Sequence, residues 1–461
     1  METPNIILIT IDSLRYDHLG CYGYPRNTSP NIDSLAARGV KFLQAISNGG
    51  NTPASFPSIL LSALPPLDSS DSRAILRRST ALAELLKNAG YKTAAFHSNP
   101  HVSRFYGYGK GFDIFDDSFR QFSPKGGRLW IRTRAKSPGS LMAKVVTKVR
   151  RVLKPILYRV LPRHTINAER LTNKAMSWLD ARKGKFFLWL HFTDVHHPYM
   201  PPVKYLHQFC DELLNRRQMK EACLKMLTSP NELSQSDIEM LINLYDASIK
   251  YTDDIIGSFL QEIGRRLSNT FVIITADHGE EFGEHGRFRH HALYDGLLHV
   301  PLIMAGPSLQ SGMSVEQQVS SIDLSPTIVE IAGAGSPQSF RGQSLLPLMK
   351  GEGKITECTI STLLDNDLEK RQFSYRTPGW KYIRTESLNV SGLVLREEVY
   401  DLTNDPGETE NLHGTDTEEV KNFEEEALDK LSQFKQLKVE ESTDYEKQRI
   451  KVKLSRLKKL K

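Results

Sequence analysis

Asn5-Ile6-Ile7-Leu8-Ile9-Thr10-Ile11-Asp12 is an apolar run of high β propensity that ends on an acid. It is apolar on both faces, the pattern of a strand buried within a parallel sheet. The same form returns at Phe186–Phe192 (FFLWLHF), followed by Asp194, and at Phe271–Ala276 (FVIITA), followed by Asp277 and His278. Helical patterns fall between these runs. Ala81–Ala89 is stopped by Gly90 and followed by the strand Tyr91–Phe96, and Asp237–Leu260 repeats apolar residues at Ile238, Leu241, Ile242, Tyr245 and Ile249. Val300–Met304 reads as a further strand. This alternation predicts an α/β fold, a doubly wound sheet flanked by helices. From about Arg341 the pattern changes. Short β-like runs at Trp380–Arg384 and Glu398–Leu402 predict a small C-terminal α+β subdomain over 341–414, after a larger α/β unit over 1–340. A charged helical tail is expected over 415–461.

The 461 residues, 39% hydrophobic and 25% charged, suit a globular protein with a large core. No apolar run reaches the ~18 residues of a membrane span. The start, Met-Glu-Thr-Pro-Asn, lacks the basic region of a secretory signal, so the expected location is the cytoplasm. The four cysteines (Cys21, Cys210, Cys223, Cys358) are scattered, which suggests neither a zinc knuckle nor a disulfide framework. Charge is concentrated. Twelve Lys or Arg and no acid lie between Lys125 and Arg163, enough to account for the whole positive net charge, and Lys447–Lys461 is a second acid-free basic run. Within an insertion at 123–165, apolar residues recur over 141–160 (Leu141, Val145, Val149, Val152, Leu153, Ile156, Val160), with Lys144, Lys148, Arg151 and Arg159 off the stripe and a break at Pro155. This is either an interfacial helix resting on anionic lipid or a cover over a cleft with solvated lysines. No nucleic-acid recognition module is present, and no nucleic-acid partner is expected.

In a doubly wound sheet, ligands sit beyond the carboxyl ends of the strands. Asp12, Asp194 and Asp277-His278 all fall there. With Thr52 of Asn51-Thr52-Pro53-Ala54-Ser55 they compose a chemical set. Asp12, Thr52, Asp277 and His278 offer the oxygen and nitrogen ligands a hard divalent cation prefers, and a bound cation makes an otherwise inert hydroxyl nucleophilic. The set points to hydrolysis or transfer of a phosphate or sulfate ester. An Asp at a strand end also serves as a helix N-cap, so Asp12 alone decides little. Asp194-Val195-His196-His197 and the three histidines His285, His290 and His291 could complete a second metal site (Asp194, His196, His290) or handle the ester oxygens; spacing does not choose between these.

The chain resembles the sulfatase family of the alkaline phosphatase superfamily. The matching stretches are Asn5–Gly23, Thr28–Phe42, Asp194–Tyr199, Thr275–Gly286 (TADHGEEFGEHG), Tyr294–Pro301, Asp323–Thr327 and Val399–Leu412, in family order. The resemblance implies a metal-dependent α/β hydrolase with a mixed sheet and a small C-terminal sheet domain. It implies one or two divalent ions (Ca, Mg, Mn or Zn) and a sulfate or phosphate ester of a small molecule, glycan or lipid headgroup as substrate. The departures carry as much information. Typical members carry a Cys/Ser-x-Pro-x-Arg motif that is converted to formylglycine. Here Ser55-Phe56-Pro57-Ser58-Ile59 lacks the Arg, and alignment on Ile59–Ser62 puts Thr52 at the nucleophile position. That register resembles superfamily members that use an unmodified threonine. Ser13 stands for a second Asp, and His278 for a frequent Asn, as in phosphodiesterases and phosphoglycerol or phosphoethanolamine transferases. The expected function is metal-dependent ester hydrolysis, with Thr52 as nucleophile and His196 or His290 assisting the leaving group. The alternatives are a phosphodiesterase, a transferase of that type, and a degenerate binding protein.

Overall fold

Ile6, Ile7, Leu8 and Ile9 are fully buried, each contributing roughly 1.5–3 kcal/mol on leaving water. They belong to β1 (Asn5–Ile11), which lies inside an eight-stranded sheet. In chain order the other members are β2 (Val40–Ile46), β3 (Lys92–His97), β4 (Ile114–Asp116), β5 (Phe186–Phe192), β6 (Thr270–Ala276), β9 (His299–Ala305) and β10 (Met313–Ser320). The two-residue strands β7 (Glu281–Phe282) and β8 (Phe288–Arg289) form a separate hairpin. The sheet order is β10-β2-β9-β6-β1-β5-β3-β4. The computed structural model describes residues 3–67, 75–76, 79–118, 166–211, 214–353, 358–365 and 368–458. The basic insertion 123–165, with its amphipathic stretch 141–160, lies outside the described residues.

β1 runs parallel to β5 and β6, and Ile11 sits opposite both Phe192 and Ala276. The residues that follow each strand therefore emerge side by side at one end of the sheet, and the Asp12 amide donates to the Phe192 carbonyl at 2.9 Å. The mixed character comes from β9, which is antiparallel to both β6 and β2. Its direction decides the site. Because β9 starts where β6 ends, the segment that precedes it arrives at that same end, carrying His290. β2 ends beside His299, so the chain leaving it, with Thr52, arrives there too.

Helices flank the sheet: α1 (Pro30–Ala37), α2 (Thr52–Leu61), α3 (Leu82–Asn88), α4 (Ala168–Asp180), α5 (Arg216–Thr228), α6 (Gln235–Ile263) and α7 (Leu324–Ile331). The long α6 starts on an N-cap, where the Ser234 hydroxyl accepts from the Asp237 amide at 3.2 Å. The expected helix at Ala81–Ala89 is α3, and Gly90 ends it at φ +87°, a left-handed value that suits glycine.

A second, antiparallel sheet follows: β11 (Thr359–Asp365), β12 (Lys370–Arg376), β13 (Trp380–Ser387) and β14 (Val394–Asp401). The expected charged tail is α8 (Glu418–Lys458), and its first half is not merely solvated. Val420, Phe423, Ala427, Leu431 and Phe434 pack on Phe373, Tyr375, Tyr382 and Val399 of this sheet. β11 also reaches back to the chain ahead of α2. Thr362 donates to the Asn48 carbonyl at 3.0 Å and accepts from the Gly50 amide at 3.1 Å. The Asn51 side chain donates to the Leu364 carbonyl at 3.3 Å, and the Ser361 hydroxyl to the Ser47 carbonyl at 2.6 Å. A Cβ on Gly49 would lie 2.4 Å from the Ser55 nitrogen, so glycine lets this segment press against α2. Among the described residues no helix is long and apolar enough to cross a membrane, and none of the four cysteines is in a disulfide.

Candidate active site

Asp12 leaves β1, Asp277 and His278 leave β6, and Thr52 is the first residue of α2; all four are buried. Asp12 does not cap a helix, since the next helical turn begins at Tyr16. The Thr52 hydroxyl donates to Asp277 Oδ2 at 2.9 Å. Its place at a helix N-terminus, in the positive end of the helix dipole, favours negative charge on that oxygen. Asn51 caps α2 by accepting from the Ala54 amide. Ser55 points elsewhere: its hydroxyl donates to the Thr52 carbonyl at 3.3 Å. The helix register therefore brings the Thr52 hydroxyl, and not that of Ser55, to the carboxylates.

Asp12, Asp277 and His278 form the one group among the described residues whose ligand atoms all lie within 4.8 Å of one another in a metal-type cluster. The ring of His278 fits the role. Its Nδ1–H donates to the Gly279 carbonyl at 2.8 Å, an acceptor only, so Nε2 is left facing Asp12 Oδ1 and Asp277 Oδ2 at 3.6 Å each. A carbonyl holding the far nitrogen is the usual support of a metal-ligating imidazole. Two buried carboxylates meet here, and among the described residues neither pairs with Lys or Arg. Burial, and then the Asp12 charge, raise the Asp277 carboxyl above its ordinary range. Burial acts on Asp12 in the same sense, but the imidazoles of His196, His191 and His278 outweigh it and hold that carboxyl well below. Burial opposes protonation of His278, yet Asp277 and Asp12 lift it above its ordinary value. The oxygen-rich, negatively charged donor set fits a divalent cation.

Sequence reasoning missed Asn99. This residue follows β3, and its Nδ2 donates to Asp12 Oδ2 at 2.9 Å and to His191 Nε2 at 3.2 Å, with Thr52 Oγ1 at 3.5 Å. The His101 amide donates to Asn99 Oδ1 at 2.9 Å, which fixes the orientation of the amide group. Behind it, His191 Nδ1–H donates to Thr10 Oγ1 at 2.9 Å, and Trp189 Nε1 donates to the same oxygen at 3.0 Å. These partners assign the tautomer of His191. One signal could have found Asn99: it too sits just beyond the carboxyl end of a sheet strand.

His196 and His290 lie together at the edge of the cluster, with ring centroids 5.4 Å apart, and His290 is 5.1 Å from the ring of His278. Burial pushes His196 down to about 4. Burial, Arg289 and the neighbouring imidazoles push His290 well below its ordinary value. Both are therefore neutral near pH 7. His290 Nδ1 is 3.3 Å from Glu280 Oε1, and Tyr199 donates to the other Glu280 oxygen at 3.0 Å. Asp194 is buried, and its charge is felt on α6, where burial and this carboxylate push the Tyr251 phenol up to about 12. Asp194, His196 and His290 are not drawn into a second such cluster among the described residues. His285 stacks on Tyr294 at 3.7 Å, and His291 pairs with Asp365 of β11 at 2.7 Å.

Residues 4–334 match the sulfatase family, and the chain belongs to it. It is an ester hydrolase of that family. Residues 283–436 match the C-terminal part of N-sulphoglucosamine sulphohydrolase. The sulfatase YidJ of Escherichia coli strain K12 is 27% identical over 444 residues, covering 89% of this chain and 83% of its own length. Human arylsulfatase K is 32% identical over 189 residues, 39% of this chain and 34% of that protein. Two solved structures share the fold. BT4656, in complex with its substrate D-glucosamine-2-N,6-O-disulfate, superposes with a TM-score of 0.70 at 20% identity, covering 95% of this chain and 99% of that one. The phosphonate monoester hydrolase of Agrobacterium radiobacter gives 0.67 at 19% identity, covering 95% and 96%.

Proposed function

We propose that this sulfatase-family chain cleaves sulfate or phosphate esters through Thr52, with a divalent cation as cofactor. The observation that carries the reading is the Thr52 hydroxyl, 2.9 Å from Asp277 at the N-terminus of α2. Thr52 Oγ attacks sulfur or phosphorus in line. The new bond from Thr52 to sulfur or phosphorus forms as the bond to the leaving oxygen breaks, and the hydroxyl proton ends on the released alcohol. Water then cleaves the threonyl ester, freeing sulfate or phosphate and restoring the hydroxyl. Asp12, Thr52, Asp277 and His278 would hold the cation, which supplies the positive charge that lowers the pKa of a hydroxyl and offsets charge on the ester oxygens. His196 and His290, neutral and side by side, are assigned to the leaving oxygen. Asn99 holds Asp12 and Thr52 in register.

The neighbours act on a sulfated sugar and on a phosphonate monoester, which supports the shared chemistry of a tetrahedral anionic centre. The test assays wild type, Thr52→Ala and Thr52→Ser with matched aryl sulfate, aryl phosphate and phosphodiester substrates. Thr52→Ala should lose at least about 10³ in kcat, with Thr52→Ser retaining part of it. Quenched wild-type enzyme should carry added mass on the peptide that contains Thr52. Near-normal kcat/KM in Thr52→Ala would falsify the assignment.

A further inference from the structure

His291, whose ring centroid is 6.2 Å from that of His290, lines a cavity of about 510 Å³, large enough for a sugar-sized group. Its walls come from three places: the β7–β8 hairpin and the loop after it, the C-terminal sheet, and the end of α5. Met226 and Leu227 of α5 give it an apolar side. The rest is strongly basic. Arg287 and Arg289 line it from the hairpin, and Lys370 and Arg396 from β12 and β14. One acid, Asp365, is among the lining residues, and it is already paired with His291 at 2.7 Å.

The cations are poorly compensated. Among the described residues, Lys370, Arg287 and Arg289 have no ion pair, and Arg287 donates only to the His291 carbonyl at 3.1 Å. Arg396 pairs with Glu398 at 3.0 Å. Arg289 Nε is buried with no hydrogen-bond partner. Its backbone holds φ +71°, a left-handed value that costs a non-glycine residue energy and recurs at functional sites. A buried donor without an acceptor is costly unless a ligand satisfies it. Arg289 lines the cavity and directly precedes His290, whose ring lies 5.1 Å from that of His278, so the cavity wall runs on into the candidate site.

We propose that this cavity holds the organic part of the ester and takes a second anionic group on it, a sulfate, phosphate or carboxylate bound by Arg289, Lys370 and their basic neighbours. The substrate class is thus a polyanionic ester, one group cleaved at Thr52 and another held in the cavity. The inference rests on the reading of Thr52 and its neighbours as the reacting centre.

The test uses the full chain and the double variant Lys370→Gln/Arg396→Gln, both changes lying on the C-terminal sheet away from the bond that breaks. Kinetics compare an aryl sulfate, which has one anionic group, with D-glucosamine-2-N,6-O-disulfate. The variant should lose about tenfold or more in kcat/KM on the disulfate, through KM, and stay within about twofold on the aryl ester. An equal loss on both substrates, or none on either, overturns the proposal. Calorimetry with trigalacturonate, a polyanion without a scissile sulfate or phosphate, reads the cavity apart from the reaction. It should bind wild type and bind the variant about tenfold more weakly, with affinity falling as salt rises. No binding to wild type overturns the cavity assignment. Weakened trigalacturonate binding in the variant, together with full activity of Thr52→Ala, would leave the anion site standing and remove the reaction reading.

Discussion

Asn99 spends both hydrogens of one amide nitrogen on the site, the shorter bond going to Asp12 and the other to His191. Its contact with the Thr52 hydroxyl, at 3.5 Å, is the longest of the three, and it acts chiefly by holding Asp12. Asn99→Ala should therefore lower kcat by about 10–100-fold, the usual effect of removing a residue that orients a metal ligand. KM should change little, and binding of Mn²⁺, read by calorimetry, should weaken. A purely structural role would leave kcat normal in the enzyme that folds. Asp277→Asn removes the charge that faces both Thr52 and His278. It should abolish tight Mn²⁺ binding and turnover together; a variant that binds the ion normally would contradict the ligand assignment. That Asp12, Thr52, Asp277 and His278 meet could be expected from the sequence, because two strand ends and one short motif carry them, and the fold does bring them together. Asn99 and His191 could not be placed this way, because their roles depend on which side chains meet across strands far apart in the chain. Ser55, three residues on from Thr52, is a second hydroxyl of the same motif, and which way each points depends on a helix register the sequence does not display; here the Ser55 hydroxyl donates to the Thr52 carbonyl.

At the level of elements, β1, β5 and β6 were legible because they are buried on both faces and so read as continuous apolar runs. β10 was not: it is the edge strand, with Glu316 among its exposed positions, and its sequence MSVEQQVS reads as polar. β11 and β12 escaped for a similar reason, since Lys370 and Arg371 open β12 with charge. One contact between elements invites a direct test. Lys381 of β13 is fully buried and bridges Asp295 and Glu408, and Arg376 of β12 also pairs with Asp295 at 2.8 Å. This cluster ties the C-terminal sheet to the loop that carries His290. Lys381→Met leaves buried Glu408 without its cation while Asp295 keeps Arg376, and breaking such a buried pair costs about 3–5 kcal/mol. The urea midpoint should fall accordingly, and an unchanged midpoint would show the cluster to be dispensable.

The whole molecule carries several buried acids whose protonation couples to folding. Burial lifts Glu408 to about 7, against the pull of Lys381, and lifts Asp253 and Asp323 to about 6. Their ordinary values are 4.5 and 3.8. A group whose folded pKa is raised gives stability that is full below its unfolded pKa and lost as pH rises through the folded one. For Glu408 that window is about pH 4.5 to 7. Glu408→Gln, which mimics the protonated acid, should therefore gain on wild type in thermal midpoint as pH is raised from about 5 to 8. A gap between the two proteins that does not move with pH would count against the shift.

The bonds from β11 to the segment ahead of Thr52 have a consequence in time. They join residues 313 and 314 positions apart, Asn51 to Leu364 and Ser47 to Ser361. A chain growing on the ribosome has made Asp12, Thr52, Asp277 and His278 well before it makes β11. Until then the loop that presents the hydroxyl lacks the backbone bonds that seat it. The order of synthesis thus places the final seating of Thr52 after Asp12, Asp277 and His278 are made, and chains arrested before Thr359 should show no turnover while released full-length chains should.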